Sequence, residues 1–136
     1  IRAYQSHLLR TALSNHGRTL IVDQLQDGDA LVTLDFGMKI LPEKAIEGQS
    51  DFFAKKGISI HITHTLAKLD GKLFDHVFAH SLDDTKQDGA LVFGIVRHSL
   101  GILQTKGIKR VYIRSDNAGS YKSGALIASL YNLSSP

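Results

Sequence analysis

Residues 31–40 read LVTLDFGMKI. Leu31, Val32, Thr33 and Leu34 are apolar or β-branched, which suits a buried strand. The run then stops on a carboxylate, Asp35, followed by Phe36 and Gly37. A charge at the end of a buried strand costs free energy unless something there uses it. Where the end of this strand lies in the fold, and what shares that place, decides how the whole chain is read.

Asp35-Phe36-Gly37 spells the metal-binding tripeptide of protein kinases. That motif requires a glycine-rich loop, a strand lysine and a His-Arg-Asp loop upstream. Only 34 residues precede Asp35, and they contain none of these parts. Kinase chemistry is excluded, and Asp35 needs another explanation.

The chain has 136 residues, the size of one domain with a real core. Its 43% hydrophobic and 21% charged residues are ordinary for a globular protein. No apolar run approaches the length of a membrane span, and no signal-peptide pattern opens the chain, so no membrane partner is expected. Cysteine is absent, which removes disulfides, thiolate metal sites and cysteine nucleophiles and favours an intracellular, reducing compartment. The net charge of +3 suits an anionic partner such as nucleic acid without requiring one. The sequence starts at Ile1 rather than methionine, as a fragment or processed piece would.

Outward from Asp35, residues 1–29 read as an N-terminal helical extension and 30–136 as one domain. Leu8, Leu9, Ala12, Leu13, Leu20, Ile21 and Leu25 fall at loosely helical spacing, with Asn15 and Gly17 as candidate interruptions and QDGD (26–29) as a stop. Residues 57–68, GISIHITHTLAK, alternate as a strand does. Asp70-Gly71 predicts a type I′ turn into a returning strand, LFDHVFAHSL (73–82). A helix is expected over 83–107, capped by Asp83, Asp84 and Thr85 and closed by Gly107. IKRVYIRSD (108–116) is a short strand running into a second aspartate, and SGALIASLYNL (123–133) a helix capped by Ser123.

The expected fold is therefore α/β: an antiparallel meander of strands 1, 2 and 3, a crossover helix, and a fourth strand. A crossover makes the fourth strand parallel to its neighbour. If that neighbour is the first strand, Asp35 and Asp116 meet at one carboxyl edge, where ligand sites of open α/β sheets gather.

This order, with TLDFG on the first strand and IRSDNAGSYKS (113–123) after the fourth, resembles the ribonuclease H-like superfamily. Ser115-Asp116-Asn117, then Gly119 and Tyr121, is similar to the second-carboxylate motif of retroviral integrases and DDE transposases, which reads Thr/Ser-Asp-Asn-Gly and then an aromatic residue. Ala118 before Gly119 departs from it. The resemblance covers residues 30–133 and extends to transposon-derived proteins. It implies a metal-dependent nuclease or transposase-type hydrolase acting on DNA, nuclear in a eukaryotic host and often multimeric. It also allows a domesticated, inactive domain that binds nucleic acid or protein.

What the resemblance implies about the site is a pair of Mg²⁺ or Mn²⁺ ions, about 3.5–4 Å apart, held by clustered hard oxygen ligands. Asp35 would bridge the ions and Asp116 hold one. The other reading has Asp35 capping a strand and Asp116 making an Asx turn. The family's third carboxylate is a glutamate on a later helix, and no acidic residue follows Asp116 here. Either it belongs to a truncated C-terminus, or Asp88 completes the site from the crossover helix, as a glutamate does in ribonuclease H. Asp88 could equally be a helix N-terminal acid.

Asn117, Arg114, Lys122, Lys55 and Lys56 are candidate nucleic-acid contacts, and Arg114 and Lys122 bracket the Asp116 motif. His61 and His64 in HITH cannot share a zinc ion, because three residues apart on a strand they point to opposite faces. His80 is read as a surface residue. An ATP-binding domain of the actin-like branch, with Asp35-Phe36-Gly37 as a phosphate loop, is a weaker alternative on so short a chain.

Overall fold

A computed structural model of the chain describes residues 2–37, 39–41, 43, 46, 48–49, 57–82, 87–116 and 118–134, with side chains from residue 8 to residue 133 within these. Its elements are α1 (Arg2–Gln24), β1 (Asp29–Phe36), β2 (Ser59–Leu69), β3 (Lys72–Leu82), α2 (Gly89–Thr105), β4 (Arg110–Ser115), a 3-10 helix (Gly119–Tyr121) and α3 (Gly124–Ser134). The sheet order is β3-β2-β1-β4. β1–β2 and β2–β3 are antiparallel, whereas β1–β4 is parallel, in register from Asp29↔Arg110 to Leu34↔Ser115. This is the expected α/β meander with a crossover. Among the described residues no helix is long and apolar enough to cross a membrane.

The turns follow from their residues. Asp70 and Gly71 both have positive φ (51° and 73°), as a type I′ turn demands. α2 ends as a Schellman motif: Gly107, at φ 90°, donates to Gln104 O at 3.0 Å, and Ile108 to Leu103 O at 3.2 Å. Asn15 and Gly17 do not interrupt α1, which runs unbroken to Gln24.

α2 begins later than expected. Its N-cap is Asp88, whose Oδ1 accepts the Leu91 N–H at 3.0 Å. Asp83, Asp84 and Thr85 lie outside the described residues. Ser123 caps α3 as expected, accepting the Leu126 N–H at 3.4 Å.

α2 and α3 cover one face of the sheet. There Ala30, Val32 and Leu34 of β1 and Ala67 of β2 pack with Val92, Val96 and Leu103 of α2, and with Ile108, Tyr121 and Leu126. The same face of β2 also buries Ser59, His61, Thr63 and Thr65. α1 lies on the other face. Arg114 of β4 reaches its Ser14, Lys68 of β2 donates to Leu25 O at 3.1 Å, and Leu31 is buried on that side.

Candidate functional site

The parallel register builds the site. Leu34 of β1 is level with Ser115 of β4, so the next residue along the chain from each is an aspartate at the same carboxyl edge. Asp35 and Asp116 line one cavity of about 670 Å³. Its remaining wall is Thr33, Leu34, Arg114 and Ser115 from the strands, and Arg10, Thr11, Ser14 and Asn15 from α1. Both carboxylates are exposed, as metal or substrate access requires.

Asp116 stands on a turn, since β4 ends at Ser115. Its Oδ1 accepts the Ala118 N–H at 3.1 Å, the Asx geometry that the motif's local chemistry favours. The chain then enters the 3-10 helix and buries Tyr121. Burial pushes the Tyr121 phenol well up from its ordinary pKa, and the negative charges of Asp116 and then Asp35 add to this. The phenol therefore keeps its proton, and its hydroxyl shares a buried hydrogen bond with His61 Nε2 at 3.0 Å. His61 is fully buried on β2, and burial first, then the His80 charge, lowers its pKa to about 4. The Nδ1 of its neutral ring lies 3.4 Å from Thr63 Oγ1. Phe36, beside Asp35 in the chain, meets the His61 ring edge-to-face at 4.7 Å.

The other sequence candidates are placed as follows. Asp88 is engaged as the α2 cap. Among the described residues no three His, Cys, Asp or Glu side chains gather as a metal-binding group, so Asp88 does not close a triad with Asp35 and Asp116. Arg114 lines the cavity but is held by α1, its Nη2 donating to Ser14 Oγ at 2.9 Å and Asn15 Oδ1 at 3.5 Å. Lys122 is exposed at the end of the 3-10 helix. Asn117, Lys55 and Lys56 lie outside the described residues. Gly37 donates its N–H to Ile60 O at 2.8 Å, so that amide serves the sheet and not a phosphate loop.

The histidines of HITH do face opposite ways. His61 is in the core, and His64 Nε2 pairs with Asp75 Oδ1 at 2.7 Å on the other face. His80 is not a simple surface residue. It lies half-buried on the helix-covered face with its Nε2 3.1 Å from His98 Nδ1, and burial and then the His98 charge lower its pKa.

Two parts of the site escape a reading of the sequence alone. The α1 wall is one; its signal is the polar spacing of Arg10, Ser14 and Asn15, which one helix turn brings together. His61 is the other, visible only once its inward register is known. Comparisons of the chain with family models, with curated proteins and with solved structures find no match.

Proposed function

We propose that the chain is a ribonuclease H-like domain of the integrase and DDE transposase kind, acting on DNA phosphodiester bonds with Mg²⁺ or Mn²⁺. The observation that supports this most is the shared cavity of Asp35 and Asp116 at the carboxyl edge of a parallel strand pair. Two exposed carboxylates suit a hydrated Mg²⁺, which is commonly bound through one or two carboxylates, several waters and the substrate's phosphate oxygens. When bound, the metal supplies charge neutralisation at the phosphoryl group and acidifies an attacking water or DNA 3′-hydroxyl. The chain's own part is to hold the two aspartates level and to offer Arg114 along the cavity wall as a phosphate-facing donor, with Ser14 and Asn15 accepting from its guanidinium.

The second reading is a domain that keeps the fold and binds nucleic acid or protein without cleaving. The engagement of Asp88 as a helix cap favours it, because the pair then lacks a third carboxylate among the described residues. Calorimetric titration of Mn²⁺ at neutral pH tests the first reading. Binding that falls sharply in both Asp35→Asn and Asp116→Asn supports one joint site. Equal binding in all three proteins would sink the pairing. Metal-dependent DNA cleavage abolished by Asp35→Asn then separates the nuclease from the binding domain.

A further inference from the structure

Asp35 lies within β1, a strand with neighbours on both sides, but Asp116 stands where β4 has already stopped. A carboxylate on a turn is placed only as well as the turn is anchored. One anchor is the Asp116–Ala118 hydrogen bond. The other is distant in sequence: Tyr121, five residues on, is 8% exposed, and its hydroxyl meets His61 Nε2 on β2. His61 is in turn pinned by Thr63 and by the ring of Phe36, the residue after Asp35. The Phe36 and Tyr121 rings also lie 5.8 Å apart. One buried cluster therefore touches the chain next to the first carboxylate and the turn that carries the second.

A Phe–Leu contact would fill this space. The directional hydrogen bond adds location, because a buried donor and acceptor each lose free energy when they move apart. We propose that the Tyr121–His61 hydrogen bond is a positioning device that fixes the Asp116 turn against β1 and β2 and so sets the spacing of the carboxylate pair. This rests on reading Asp35 and Asp116 as metal ligands. Tyr121 and His61 are positioning residues: each acts through the backbone it holds.

The test uses Tyr121→Phe, which keeps the ring and removes the hydroxyl, and the double variant His61→Leu/Tyr121→Phe, which removes both members of the hydrogen bond and, with His61, the Thr63 Oγ1 contact. Folding is checked by circular dichroism, Mn²⁺ affinity by calorimetry, and exchange of the Ala118 amide by NMR without metal. Both folded variants are expected to bind Mn²⁺ about 10- to 100-fold more weakly, the usual cost of losing a partner that orients a ligand. The Ala118 amide is expected to exchange faster in both. Unchanged affinity and unchanged Ala118 exchange in a folded variant would overturn the proposal and leave the pair as ordinary core. If Tyr121→Phe does not fold, the double variant carries the same test. If the wild-type protein itself binds no Mn²⁺, the metal reading has failed, and Ala118 exchange alone decides whether the hydrogen bond holds the turn.

Discussion

Asp29 and Arg110 face each other across the parallel β1–β4 pair, with the guanidinium donating from Nε and Nη2 to the two carboxylate oxygens at 2.9 Å each. Six residues further along the chain from each stand Asp35, on β1, and Asp116, just past the end of β4. The bidentate contact at the amino end and the carboxylate pair at the carboxyl end thus share one register. Fork-on-carboxylate geometry is specific in direction, so it holds that register where a single contact would allow sliding.

The hydrogen bond from Arg110 lowers the Asp29 pKa; burial opposes this, and the Gln26 N–H adds to the lowering. A carboxyl depressed in the folded state contributes stability above its unfolded pKa, and that contribution is lost as pH falls through the folded value. In Arg110→Ala the opposing burial remains and the main support is gone. NMR titration of Asp29 should therefore give a higher pKa in Arg110→Ala than in the wild type, and an unchanged titration would mean that the guanidinium does not support the charge.

Asp88 separates two roles cleanly. As the α2 cap, its replacement in Asp88→Ala should cost about 1 kcal/mol in urea denaturation, and Asp88→Ser should recover most of that. Mn²⁺ affinity should be the same in all three proteins. Weakened Mn²⁺ binding in Asp88→Ser, with stability restored, would instead make Asp88 a ligand.

The parts of the fold that were legible in the sequence are those decided locally. Asp70-Gly71 dictates its turn, Ser123 its helix start, and the crossover rule makes β4 parallel, which places Asp35 beside Asp116. What was not legible depends on which face a helix covers. Alternation in residues 57–68 gives the strand period but not its inward side. Ile60 and Ile62 look like the core set, yet Ile62 is 39% exposed while Ser59, His61, Thr63 and Thr65 are buried under α2. Those polar groups are tolerated where partners come from distant segments: Tyr121 for His61, and Gln87 Nε2 at 3.2 Å for Ser59 Oγ. The α1 wall was hidden for the same reason, since the docking of α1 on the sheet is not a local property.

Burial of His61 makes stability pH-dependent on the acid side. Above its ordinary value of 6.5 both folded and unfolded chains hold a neutral ring. Below it the unfolded chain takes up a proton that the folded protein refuses until about pH 4. Stability should therefore fall progressively across that window, by about 3 kcal/mol in total from this residue. Tyr121 faces His61 from the 3-10 helix, and His80 faces it from β3, itself paired with His98 of α2. His80 titrates low as well and leaves a residual slope. Urea denaturation at pH 7 and pH 4.5 should show a smaller loss in His61→Gln than in the wild type. Equal losses would place the acid sensitivity elsewhere.

Arg114 is bound to α1 in the structure and lines the cavity at the same time, and these two facts predict different results. If its role ends with holding Ser14 and Asn15, Arg114→Ala and Ser14→Ala/Asn15→Ala should behave alike and leave DNA affinity unchanged. If the guanidinium turns to a phosphate when DNA enters, only Arg114→Ala removes a phosphate contact. Binding should then weaken evenly across sequences, and the slope of log affinity against log salt should become shallower by about one. The Ser14→Ala/Asn15→Ala protein should keep the wild-type slope and bind at least as tightly, because the guanidinium no longer has to leave α1. Fluorescence anisotropy with a duplex oligonucleotide at several salt concentrations measures both quantities. We expect the second pattern, since a guanidinium beside two carboxylates at a sheet edge stands where an anionic backbone would pass. Parallel slopes in all three proteins would confine Arg114 to anchoring the helix.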